Sequence, residues 1–231
     1  MLAPLVLLVL LPGADKDDAE KLFRQMEAKL AKAKTVECAF DAKVEADKTG
    51  TMKGTLLLGE GNKSRMEMGG EFGGMKGKFT MIADGTKMKA VGEGVPPQPA
   101  EDAPKWLGEA VRASLARAGL MLPFMSASPR SPDKEKEFKI DEHFQVSDFR
   151  LGKKEMVDKQ EAQVVQYTLT LKMPKDQKLD ATVWIDTKTQ LPLKRVFTGT
   201  MDGKKMTLTE TYTKLEVDGK IDPKQFELPK E

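Results

Sequence analysis

A mainly β fold with added α, built on antiparallel sheet, is expected from three features of the 231-residue sequence. Apolar and polar residues alternate with a period of two through most of the chain, Asp-Gly pairs at 84–85 and 202–203 punctuate the alternation, and helical spacing is confined to two stretches. No Pro/Gly/Ser run is long enough to act as a linker, so one domain is expected.

The opening residues stand apart. Leu2 to Leu11 form an apolar run ended by Pro12-Gly13-Ala14, about half the ~20 residues needed to span a bilayer, with a small-residue end suited to cleavage. Residues 1–14 are therefore expected to be a signal peptide and residues 15–231 an exported, soluble domain. Between Asp17 and Lys34, Leu22, Phe23, Met26, Leu30 and Ala33 recur at helical spacing. From Val36 the period becomes two: Cys38, Phe40, Ala42 and Val44 alternate with Glu37, Asp41, Lys43 and Glu45, which reads as a half-buried strand. Treating Asp84-Gly85 as a two-residue turn pairs Met81 with Met88 and Phe79 with Ala90. The same rule at Asp202-Gly203 pairs Gly199 with Met206, Phe197 with Leu208 and Arg195 with Glu210, which sets an ion pair on the inner face. Residues 101–125 form a helical insertion, with Trp106, Leu107, Ala110, Val111, Ser114, Leu115 and Ala118 as its apolar stripe and Arg112 and Arg117 off it. Ser126 to Glu137 reads as a solvated loop, and strands resume near Lys139.

Composition excludes much chemistry. Thirty-eight Lys and Arg against 36 Asp and Glu leave a net charge of +2, without the basic footprint of nucleic-acid binding. One Cys and one His cannot build a Cys/His zinc site or an internal disulfide. Asp141-Glu142-His143 would point to opposite faces of a strand, Gly69 to Gly74 lacks phosphate-loop spacing, and no Gly-x-Ser-x-Gly elbow is present. No enzyme, metal or cofactor is expected. Cys38, on the apolar side of its strand, reads as a buried thiol.

The 14 Met, many in the first strands, are the other signal. Met is unbranched and polarizable, so it suits a cavity that adapts to irregular apolar ligands, although it also fills packed cores. Phe40, Leu56, Leu58, Met66, Met68, Phe79, Met81, Met88, Phe197 and Leu208 are the expected acyl-cavity lining.

The order of elements resembles the LolA-like periplasmic lipoprotein-carrier (outer-membrane lipoprotein-sorting) superfamily. The likeness is carried by Leu22 to Ala46, Gly54 to Leu58, Arg65 to Met68, Ile82 to Lys87, Leu122-Pro123-Phe124-Met125, Trp184-Ile185-Asp186, Leu191-Pro192-Leu193 and Ile221 to Phe226 with Pro229. The resemblance implies an incomplete antiparallel β-barrel, a half-barrel whose concave interior is covered by helices and accepts lipid or lipoprotein acyl chains. Trp106, Leu107, Val111 and Leu115 would belong to the lid, flanked by hinges at the Pro-rich stretch and Gly119. A monomeric periplasmic carrier, working between membrane-bound donor and acceptor proteins, is the implied function. The alternative is a sensor or interaction domain on the same fold that binds a lipidated or peptide partner. Where the best-studied branch has an Arg-Pro pair between its second and third strands, this chain has Gly59-Glu60-Gly61, with Arg65 later, so that branch's gating does not carry over.

Overall fold

The computed structural model describes residues 14–94, 98–125, 138–172, 176–201 and 203–229. The expected signal segment, apart from residue 14, and the solvated loop at 126–137 lie outside the described residues. Helix α1 (Ala14–Lys32) leads into β1 (Val36–Glu45), β2 (Thr49–Leu58), β3 (Lys63–Phe72), β4 (Met75–Asp84) and β5 (Lys87–Gly92). The insertion comprises a two-residue strand β6 (Glu101–Asp102), then α2 (Leu107–Arg117) and α3 (Met121–Met125). After a 3₁₀ turn (Ile140–Glu142) come β7 (Phe144–Val157), β8 (Gln160–Leu171), β9 (Gln177–Asp186), β10 (Pro192–Met201) and β11 (Lys204–Val217).

The strands form one antiparallel sheet in the order β6-β5-β4-β3-β2-β1-β11-β10-β9-β8-β7. Its edges, β6 and β7, do not pair with each other, so the sheet is an open half-barrel rather than a closed one. The chain threads the sheet as two meanders that meet at β1 and β11. Small residues let it curve: a side-chain carbon on Gly54 would stand 2.6 Å from the Phe40 ring, which packs over that backbone.

The concave face is filled mainly from one side. Helix α1 packs on β7, β8 and α2 through Ala19, Phe23, Met26 and Leu30, all fully buried. Removing each of its larger apolar side chains from water contributes roughly 1.5–3 kcal/mol. The Phe23 ring lies 4.8 Å from Tyr167 and 5.2 Å from Phe149. Phe149 reaches this cluster because β7 carries a register shift between Ser147 and Arg150, with Asp148 at φ 56°. The bulge breaks the two-residue period and places Val146 and Phe149, three apart, against one core.

Both hairpins form, with one corrected register. Around residues 202–203 the expected pairs Gly199↔Met206, Phe197↔Leu208 and Arg195↔Glu210 are present. Around 84–85 Met81 pairs with Ala90 and Ala83 with Met88, two residues beyond the expected register. The cause is local: the Asp84 carboxylate accepts from the backbone N–H of Thr86 and of Lys87, each at 2.8 Å, and this widens the loop. A shift of two leaves every side chain on its expected face.

Candidate functional site

By register, the ten expected lining residues all project to the inner face. They do not share one environment there. Phe40, Leu56, Leu58, Phe197 and Leu208 are at most 1% exposed within the packed core, and Met66 is buried beside them. Met81 and Met88 are half-buried further along the sheet. Of the ten, Met68 and Phe79 line the cavity on this face.

That cavity, of about 570 Å³, is lined chiefly by Val44, Met52, Met68, Met75, Phe79 and Met121, with Gly70, Gly77 and the rim residues Glu71, Lys76 and Lys78. Its volume falls within the roughly 300–1,000 Å³ of small-molecule sites. Four of the six apolar side chains are Met, so the wall can repack around an irregular occupant. Val44, Met52, Met75 and Met121 were not among the expected lining residues. The first two were legible, since both lie on the inward-alternating side of their strands; Met121 arrives from the insertion and has no strand periodicity to mark it. A larger groove of about 720 Å³ occupies the outer face, among Lys43, Lys53, Thr51, Thr209 and Thr211. Lys43 and Lys53 are already paired with Glu45 and Asp41, and the groove is walled by the stems of exposed lysine and threonine side chains rather than by a cluster of large apolar ones.

The helical cover is tied down by buried charge. Arg195 and Glu210, both fully buried, are cross-strand neighbours as expected, but their hydrogen bonds run to the insertion rather than to each other. Arg195 donates to the carbonyls of Ala116 (2.6 Å) and Arg117 (3.1 Å), at the negative end of α2, and to the Tyr167 hydroxyl (3.0 Å). Glu210 accepts from the N–H of Met121 (2.7 Å) and Leu120 (3.0 Å) and from the Tyr212 hydroxyl (2.8 Å). Burial pushes its carboxyl above the ordinary value, against the pull of those donors and of Arg195. Between the two anchors Gly119 adopts φ 72°, and its α-carbon faces the Glu210 carboxylate with no room for a side chain. Gly119, expected as a hinge, is thus a packed corner.

The arginines expected off the helical stripe are buried or half-buried anchors too. Arg117, 6% exposed, pairs with Glu27 and Asp141 and donates to the Phe144 carbonyl at 2.7 Å. Arg112 donates to the carbonyls of Ala33, Lys34 and Gly59, each at 3.1 Å, and so holds α2 to the end of α1. Leu107 and Leu115 are buried, Val111 is half-buried against the core, and Trp106 stacks 6.1 Å from Phe138. The four expected lid residues therefore lie on or beside a helix fastened to α1 and to the sheet.

Asp141-Glu142-His143 occupies a 3₁₀ turn rather than a strand. Asp141 serves Arg117, while His143 stacks on Phe138 with ring centroids 4.8 Å apart. Cys38 is 1% exposed, and burial pushes its thiol far above the ordinary range. In the glycine run only Gly73 and Gly74 form the turn; Gly69 and Gly70 lie within β3. No helix among the described residues is long and apolar enough to cross a membrane.

No family model matches the chain, and no curated protein does. Among solved structures it is similar to MucB (13% identity, TM-score 0.45), the match covering 94% of this chain and 64% of that one. It is similar to LprF from Mycobacterium bovis (8% identity, TM-score 0.49, 88% of this chain and 97% of that one). It is also similar to a LolA superfamily protein from Nitrosomonas europaea (9% identity, TM-score 0.35, 91% and 97% covered).

Proposed function

We propose that this chain is a non-enzymatic, exported carrier that shields an acyl chain of a lipid or lipoprotein on the concave face of its half-barrel. The observation that carries the reading is the methionine-walled cavity of about 570 Å³ beside an otherwise filled core. The domain is residues 15–231, released from the segment 1–14, and works in the periplasm as a monomer between membrane-bound donor and acceptor proteins. The cavity-lining set is Val44, Met52, Met68, Met75, Phe79 and Met121. Met81 and Met88 extend the same face, and the remaining expected residues form the floor on which that wall stands. Helices α2 and α3 act as a fixed cover, and the ligand enters past the exposed Met75 rather than by lifting the cover.

The energetics suit loading and release. Each buried methylene contributes about 0.8 kcal/mol, so ten give about 8 kcal/mol gross, before the costs of association are subtracted. Titration with a fluorescent fatty-acid analogue should show saturable binding that Met68→Glu abolishes while the fold, read by circular dichroism, survives. Lipid should also be found by mass spectrometry after native isolation. Absence of both saturable binding and co-purified lipid overturns the carrier reading.

A further inference from the structure

The turns β1–β2, β3–β4 and β10–β11 lie at one end of the sheet, because Val44 pairs with Gly50, Gly50 with Phe72 and Glu45 with Thr207. The cavity lies at this end as well: Val44, Gly70 and Met75 belong both to the ends of those strands and to its lining. Four exposed lysines lie at this end, Lys76 and Lys78 on the cavity rim and Lys48 and Lys205 at the β1–β2 and β10–β11 turns, none with a carboxylate at ion-pairing distance among the described residues. The nearby acids Glu45 and Asp47 are already neutralised, by Lys43 and Lys204 at 2.7 Å each. Among the described residues, Glu71, which faces Lys76 across the β3–β4 ladder, and Glu93, beside Lys78, are the acids left to offset them. At the same end, next to Lys76 in the chain, stands Met75, 72% exposed and on the inner side of its strand.

We propose that this end of the half-barrel is a docking face for an anionic phospholipid bilayer, with the lysines at the headgroups and Met75 inserted between them. Its chemistry fits a diffuse charged plane better than a protein. The cations are spread over three hairpin turns on long flexible stems, and one isolated apolar side chain cannot supply the packed apolar centre of a stable protein interface. A bilayer needs neither: a basic cluster adds about 1 kcal/mol per lysine near an anionic surface, and one apolar side chain can enter the headgroup layer. In this orientation the cavity mouth faces the membrane, so an apolar chain passes between them without crossing bulk water. Only that last consequence rests on the carrier reading; the docking face stands on the lysines and Met75.

The test is flotation of the full chain with two kinds of vesicle, phosphatidylcholine alone and phosphatidylcholine mixed with phosphatidylglycerol. The expected result is selective capture by the phosphatidylglycerol vesicles, released by added salt. The variant Lys48→Gln/Lys76→Gln/Lys78→Gln/Lys205→Gln should bind them at least about a hundredfold more weakly, near fivefold per lysine. Met75→Ser should weaken capture severalfold and leave its salt dependence unchanged. Equal capture by both vesicles, as hydrophobic insertion of residues 2–11 would give, overturns the proposal. So does no capture, or a quadruple variant that floats like the native chain. The fatty-acid titration with the same variant separates the two readings, because an intact cavity keeps its ligand when docking fails.

Discussion

Arg195 is the most consequential single side chain in the interior. It is fully buried, and its guanidinium answers the carbonyls of Ala116 and Arg117, the Tyr167 hydroxyl and the nearby charge of Glu210. Arg195→Met removes the cation, leaving the buried Ala116 carbonyl without its guanidinium donor and the buried Glu210 carboxylate without that nearby positive charge. The expected cost is about 3–5 kcal/mol, on the order of 10 °C in Tm for a domain of this size, measurable by thermal melts. Gly119→Ala meets two obstacles together, a left-handed backbone and the Glu210 carboxylate, and should cost about 1–3 kcal/mol. Cys38 makes the opposite case, a reactive group kept inert. With its thiol buried and its pKa pushed far up, it should resist maleimide at neutral pH in the native protein and react fully in denaturant, as read by mass shift.

The β4–β5 turn links local chemistry to register. Asp84 is held below the usual carboxylate range by the backbone N–H of Lys87 and of Thr86, and the Thr86 hydroxyl adds to the effect. A depressed folded pKa stabilises the turn above the unfolded value, near pH 3.9, and that contribution fades as pH falls through the folded value. Amide exchange at Thr86 and Lys87, corrected for intrinsic rate, should therefore accelerate relative to the neighbouring ladder as the solution is acidified, and Asp84→Ala should abolish the dependence. This turn also marks how far the sequence could be read. Alternation placed Phe79 and Met81 on the inner face, but no periodicity shows that Asp84 will accept two amides and widen the loop. Strand β7 was obscured for a related reason. Its inward residues Val146 and Phe149 are three apart, because Asp148 takes a left-handed conformation and the pattern skips a beat. The ladder flanking Asp202-Gly203 follows the simple two-residue rule.

Across the chain as a whole, the interior divides into a filled region and a hollow one. The helix stripe of α1 and the inward row of β1 were legible from spacing alone, and they mark the filled region under α1 and α2. The hollow depends on where the helices stop, and that is decided by Arg112, Arg117, Arg195 and Glu210, polar residues whose partners lie far away in sequence. Hydrophobic patterning therefore named the right face and could not say which part of it would stay open. The division has a thermodynamic consequence. A ligand that binds only the folded chain raises its stability by RT ln(1 + [L]/Kd), about 2.7 kcal/mol at a hundredfold excess over Kd. Oleate, added below its critical micelle concentration, should thus raise Tm in proportion to the logarithm of its concentration. Met68→Glu at the cavity wall should remove that shift. Phe197→Leu, in the filled region, should lower Tm by on the order of 1 kcal/mol in stability yet keep the same ligand-induced increment. Differential scanning calorimetry of the three proteins with and without oleate reads both effects. If the Phe197 variant lost the increment and the Met68 variant kept it, the occupant would lie in the core beneath Phe197 and not in the methionine-walled space at the hairpin end.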